Sequence, residues 1–174
     1  MPTILSHPAV PLALGLGFGA RVVPRPLLIA GVLASVVPDL DVIGFSFGVA
    51  YADAAGHRGI THSITFALLL GVIAAFSARK LRASRWASFV FVFVAAVSHG
   101  LLDMLTNGGL GVALFWPLSE ERLFFPAQPI QVSPLGLGML SVAGIRVFAS
   151  EALWVWLPAF LLFAALRWRS KHAP

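Results

Sequence analysis

Apolar residues run along this chain in long blocks, not in the alternating or striped patterns of a water-soluble fold. Five blocks stand out, at residues 3–20, 26–48, 62–78, 86–106 and 150–168. Each approaches the ~20 residues that an α-helix needs to cross hydrocarbon. The pattern predicts about four to five short transmembrane helices. Pro38 and several glycines interrupt the second block, so helix is expected to about Val37 and irregular or extended chain beyond it. Backbone that is not helical at membrane depth must be covered by protein or a wet cavity, which predicts a re-entrant or irregular region at one end of the bundle. Residues 108–144, rich in Pro and Gly, carry Trp116, Phe124 and Phe125, as suits a loop lying at the membrane interface.

Composition strengthens this reading. With 59% hydrophobic and 11% charged residues in 174, and a mean hydropathy of +0.91, the chain is an all-α integral membrane protein by expectation, a single membrane-embedded domain over residues 1–174. The basic residues gather in three groups: Arg21 and Arg25; Arg79, Lys80, Arg82 and Arg85; Arg167, Arg169 and Lys171. Positive residues flanking spans favour the cytoplasm, so the N-terminus is expected outside and the C-terminus inside. A nucleic-acid partner is not expected, because a basic footprint needs a water-exposed face.

The acids and histidines fall toward the other end. Asp39, Asp41, Asp53, Asp103 and Glu151 are five of the seven carboxylates, and His7, His57, His62 and His99 are four of the five histidines. At 1.5 Å per residue His7, Asp39 and His99 each lie ~20 Å, and His62 ~24 Å, from the basic end of its block, within a core ~30 Å thick. Ionisable groups converging at one depth in hydrocarbon point to a site, expected here as a cavity toward the outer leaflet. Imidazoles interleaved with carboxylates make that site a metal centre. The chain has no cysteine, so any ion must be held by nitrogen and oxygen. Such ligands suit zinc, manganese, iron, nickel or cobalt better than copper(I), and the mixture does not choose among them.

Individual strings sharpen the candidate set. His99 and Asp103 are one helical turn apart and share a face; a hydrogen-bonded pair tying two helices together is the plain structural alternative. Pro38-Asp39-Leu40-Asp41 puts two carboxylates on the same side if the chain there is extended. In His57-Arg58-Gly59-Ile60-Thr61-His62 one histidine fits a loop and the other the first turn of the next helix, and the Arg58 fork suits a phosphate. The candidate metal ligands are therefore His7, Asp39, Asp41, His57, His62, His99 and Asp103, for one or two ions. Thr61, Ser63, Thr106 and Asn107 adjoin them as partners of ligands or substrate, or as helix caps. Glu151 is read first as a partner of Arg146, with a ligand or general-base role as the alternative. Asp53 is read as a solvated loop residue, Glu120, Glu121 and Arg122 as a surface turn, and His172 as part of the basic tail. A serine nucleophile is not expected.

His7, Pro38-Asp39-Leu40-Asp41, His57-Arg58-Gly59-Ile60-Thr61-His62-Ser63 and His99-Gly100-Leu101-Leu102-Asp103-Met104-Leu105-Thr106, taken in order, resemble the membrane-bound metal-dependent hydrolase family, which takes in LexA-regulated proteins of the bacterial inner membrane. The likeness continues weakly through Phe115-Trp116-Pro117-Leu118, Glu121-Arg122 and Ser133-Pro134-Leu135. The pattern of His and Asp on successive helices is also faintly similar to zinc-dependent phospholipases C and related nucleases. These resemblances imply a membrane hydrolase whose metal ion activates water. With Arg58 placed for anions and no His-Glu-x-x-His helix present, phosphoester cleavage in a lipid or lipid-linked phosphate is the expected reaction, Asp39, Asp41, Arg58 and Asp103 being the catalytic candidates and Arg58, Thr61 and Asn107 the substrate-binding ones. The alternative is a metal-binding transporter or channel. Reporter fusions check the orientation on which the outer-leaflet site depends: a periplasmic reporter is expected to be active at the N-terminus and a cytoplasmic one at the C-terminus, and the reverse pattern moves the site to the inner face.

Overall fold

A computed structural model describes residues 2–133 and 141–172; Pro134 and Leu135, part of the weak resemblance above, lie outside the described residues. Every regular element among them is helical, with only isolated bridges between Thr106 and Ile130 and between Val112 and Leu123. Helix α1 (Ala9–Phe18) ends at Gly19, whose φ of 80° lets its N–H turn back onto the Gly15 carbonyl. Helix α2 (Arg25–Ala34) starts with proline in its first turn, where a missing N–H costs nothing. Ser63 caps α3 (Ile64–Phe76) by accepting from the Phe66 N–H at 3.1 Å, and Ser84 does the same for Ala87 in α5 (Arg85–Met104), with the four-residue α4 (Ala78–Leu81) between them.

Two expectations need correction. Helix α2 stops at Ala34, and the chain then winds as a 3-10 helix over Val37–Phe47 instead of running irregular or extended. Pro38 cannot donate, while Asp39 N–H reaches back three residues to Val36 O at 3.1 Å, so the tighter winding keeps the backbone paired. At three residues per turn, Asp39 and Asp41 point in different directions, not to one side. The last block begins earlier than its apolar run suggests. Ser141 caps α6 (Val142–Glu151), which passes through a π-helical turn (Ala152–Trp156) into α7 (Leu157–His172). Glu151 therefore sits within a continuous helix, and the preceding loop ends at Ser141.

Three helical stretches are long and apolar enough to cross a membrane: Arg25–Phe47, Arg85–Met104 and Val142–His172. Helices α1 and α3, of 10 and 13 residues, are apolar but shorter than a full span. The chain is thus an all-α membrane protein with mixed helix lengths.

Packing fixes which ends meet. Helix α5 is central, against α3 on one side and α2 on the other, while α1 lies along α7. Leu27, Ala67, Ala74, Phe91 and Ala96 form one core; Ala9, Ala13, Leu102, Ile130 and Val155 form a second. Close approach of α2 to α5 depends on Gly31, where an added Cβ would stand 2.4 Å from Phe91 Cε1. Gly31→Val is therefore expected to leave the chain inserted but cost about 1–3 kcal/mol of stability, read as a lower midpoint of thermal unfolding in detergent.

Candidate metal centre

Four elements at one end of the bundle bring the candidate ligands together. His7 precedes α1, Asp39 enters from the 3-10 helix, His62 from a 3-10 turn (Ile60–His62) just before α3, and His99 and Asp103 from successive turns of α5. Gly100 permits the contact of α5 with the His62 turn, since a Cβ there would lie 2.8 Å from the His62 carbonyl oxygen. His7, His99 and Asp103 are wholly buried, and Asp39 and His62 nearly so. The expected open cavity is instead a closed centre: side chains and loops cover the ligands.

The hydrogen bonds define which atoms face inward. His99 Nδ1 donates to the Ser35 carbonyl at 2.8 Å, which leaves Nε2 of the neutral ring as a bare lone pair. Thr61 Oγ1 donates to Asp41 Oδ2 at 2.7 Å, so both it (3.0 Å) and Asp41 Oδ2 (3.3 Å) can only accept from His62 Nδ1. In the neutral ring His62 Nε2 is then bare as well, yet it stands 2.9 Å from His99 Nε2. Two lone pairs at that distance repel unless positive charge lies between them, and two nitrogens on one tetrahedral ion would be ~3.3 Å apart.

Around this pair the carboxylates are equally close. Asp103 Oδ2 is 3.2 Å from His62 Nε2, and Asp39 Oδ1 is 3.4 Å from His99 Nε2. His7 stacks on His99 with ring centroids 3.7 Å apart and sets its Nε2 3.6 Å from Asp39 Oδ2. Both His7 nitrogens, both Asp39 oxygens and Asp103 Oδ2 are buried without a hydrogen-bond partner. One proton could join two such atoms, but a polydentate ion accounts for the set, because unpaired polar atoms in an apolar interior are otherwise costly. The residues present thus fit a metal ion. Asp39, His62, His99 and Asp103 each offer a ligand atom within 4.8 Å of the others', and so, separately, do Asp41, His57 and His62.

The neighbouring residues mostly orient these groups. Asp41 accepts from His57 Nδ1 at 2.7 Å, and Tyr51 packs edge-on against His57. Burial pushes the Tyr51 phenol pKa above its ordinary value, so it stays protonated. Arg58 sits at φ 64°, a conformation rare outside glycine, and its side chain is wholly buried. Its fork is already spent inside the protein: Nη1 donates to Gly108 O at 2.8 Å, Nη2 to Thr106 Oγ1 at 2.9 Å, and Nε lies 3.3 Å from Asp103 Oδ2. This differs from a fork held open for phosphate; the guanidinium fixes and neutralises Asp103. Asn107 is also not turned to the centre: it is exposed, donating to Gln131 Oε1 and accepting from Val132 N–H.

Three further readings change. Glu151 does not pair with Arg146. Buried, it accepts from Thr3 N–H and from the Thr3 and Ser6 hydroxyls at 2.6 and 2.7 Å, clasping the segment that carries His7. Arg122 belongs to no free surface turn, since it donates to the carbonyls of Tyr51, Asp53 and His57 and holds their loop over the centre. Gly44-Phe45-Ser46-Phe47-Gly48 has the Gly-x-Ser-x-Gly spacing of a nucleophile elbow, but it lies at the end of the 3-10 helix with Ser46 exposed and, among the described residues, no histidine hydrogen-bonded to it. Asp53 is exposed and caps its own loop at Ala50 N–H. Ser63 and Thr106 are buried, the first capping α3 and the second bridging Arg58 to the Asp103 carbonyl.

Comparison with known proteins agrees with the membrane reading. A model of the YdjM inner membrane protein family matches residues 1–173, and the chain belongs to that family. The inner membrane protein YbcI of Escherichia coli (strain K12) is 46% identical over 173 residues, covering 98% of this chain and all of the relative. No solved structure matches.

His7 makes no hydrogen bond of its own, so the Glu151 clasp is what places it. Glu151→Leu leaves the Thr3 and Ser6 donors without their acceptor, and is expected to cost about 1.5–3 kcal/mol of stability. It should also weaken metal binding about tenfold or more, measured by competition with a chelating dye. Unchanged affinity would remove His7 from the centre.

Proposed function

We propose that this member of the YdjM inner membrane protein family is a membrane-embedded hydrolase that uses one divalent metal ion, zinc first, to cleave a phosphoester in a lipid or lipid-linked phosphate. The convergence of unpartnered His7, Asp39 and Asp103 atoms on the bare nitrogens of His62 and His99 carries the reading. Charge supports a single ion. Asp39, Asp41 and Asp103 against Arg58 leave two negative charges with the imidazoles neutral, and one divalent cation closes that deficit. Filling the Asp41, His57 and His62 group with a second ion would require His62 to bind through both nitrogens. Asp41 is better used in holding His62 Nδ1 and His57, as carboxylates behind ligating histidines do.

A divalent ion in this place acidifies water and polarises a phosphoryl oxygen. The protein's own residues do the rest. His62, His99, Asp39 and Asp103 hold the ion, with His7 closing the side toward α1; Arg58 keeps Asp103 ionised and aimed. Asp41, accepting from His57 at 2.7 Å, is the base within reach of the loop side, where Tyr51 and Phe45 form the cover. The lipid character of the substrate is supported by the outer surface of the 3-10 helix that carries both aspartates: Leu40, Ile43 and Phe47 are all more than half exposed and apolar. A lipid can approach Asp41 from that side without leaving hydrocarbon.

Elemental analysis of purified protein is expected to give one divalent ion per chain, lost on His99→Ala or Asp103→Ala while the chain remains inserted. Two ions per chain, or full occupancy in both variants, would overturn the centre as drawn. Wild type in mixed micelles is expected to release phosphate or a phosphorylated headgroup from a panel of phospholipids and isoprenoid phosphates. Metal flux into proteoliposomes without any hydrolysis would favour a transporter.

A further inference from the structure

At the opposite end of the bundle, α1, α2 and α7 part around a cavity of about 530 Å³ walled by Gly15, Leu16, Gly19 and Phe163, with Arg25 and Arg167. It joins an apolar groove along α1 and α7 that shares Leu16 and Phe163 and reaches Trp156. Glycine keeps this wall low, for a Cβ at Gly19 would stand 3.1 Å from Arg167 Nη1 and one at Gly15 only 2.5 Å from Leu28 Cδ1.

The charges here are one-sided. All seven acids of the chain lie elsewhere: Asp39, Asp41 and Asp103 in the centre, Glu151 on Thr3 and Ser6, and Asp53, Glu120 and Glu121 in loops. Among the described residues no carboxylate pairs with Arg25 or Arg167, which leaves both able to take an anion from outside the protein. Helix α2 begins at Arg25 without a side-chain cap, adding the partial positive charge of its free N–H groups to the same place. Two arginines and an uncapped helix start at the mouth of an apolar slot match the two halves of one molecule. Basic pockets between membrane helices at the membrane surface recognise acidic lipid head groups in this way.

We infer that this cavity binds one acidic phospholipid, its phosphate between Arg25 and Arg167 and an acyl chain laid in the groove past Leu16 and Phe163 toward Trp156. The site does not depend on the metal centre or its reaction. It wedges α1 against α2 and α7 from the basic end, as Glu151 ties the start of α1 from the other.

The test is native mass spectrometry of the full chain released from nanodiscs of equal parts phosphatidylglycerol and phosphatidylcholine. Wild type is expected to retain one phosphatidylglycerol. The Arg25→Gln, Arg167→Gln double variant should retain at least fivefold less, Arg25→Lys with Arg167→Lys should recover most of it, and Arg79→Gln with Arg82→Gln should behave as wild type. The midpoint of thermal unfolding in detergent serves as the check on folding, and should a double variant fail it, Arg167→Gln alone is expected to lower retention. Retention of phosphatidylcholine equal to that of phosphatidylglycerol, or no loss in the glutamine variants, overturns the site.

Discussion

Burying Asp39 and Asp103 in an apolar helical bundle, with Asp41 half-buried beside them, is the constraint from which the rest of this structure follows. An isolated carboxylate in hydrocarbon is so unfavourable that it neutralises or finds a partner, and among the described residues the only buried Lys or Arg is Arg58. The shortfall falls on the inward nitrogens of His62 and His99, which as neutral rings present lone pairs and cannot offset it. A cation would complete the set, and the surrounding fold has the features that such a site needs. Gly100 admits the His62 turn, the long 3-10 helix swings Asp39 inward, and Arg58 accepts a backbone conformation that few side chains tolerate.

Strain of that kind has to be held by the surroundings. Arg58 is locked by contacts to Gly108, Thr106 and Asp103, and Arg122 ties down the loop before it through three carbonyls. The two arginines thus work at different levels, one on a ligand and one on the loop that bears a histidine. Neither makes an aqueous surface pair of the sort worth only a few tenths of a kcal/mol.

Much of this was legible in the sequence. Apolar blocks announce the helices, and an i, i+4 pair such as His99 and Asp103 declares its shared face. The convergence of His7, Asp39 and His62 on that pair followed from depth along each block. What hid was whatever depended on backbone winding or on partners distant in the chain. Whether Asp39 and Asp41 share a side turns on 3-10 against extended geometry, which Pro38 alone does not decide. Glu151 is 145 residues from Ser6, and no local pattern pairs them. Arg58 beside two histidines suggested an anion fork; only the fold shows Asp103 and Thr106 already in it.

The separation of charge between the two ends has an electrical consequence. Nine of the twelve basic residues lie at the end that holds no acid, while all seven acids share the other end with Arg58, Arg122 and Arg146. Such a molecule is a dipole standing across the bilayer. Were its basic end toward the cytoplasm, as the positive-inside pattern predicts, a voltage negative inside would favour both ends at once, by ~2.3 kcal/mol for each full charge carried across 100 mV. In that orientation an energised membrane would act as an aligning field on the chain, adding to what lipid charge alone provides.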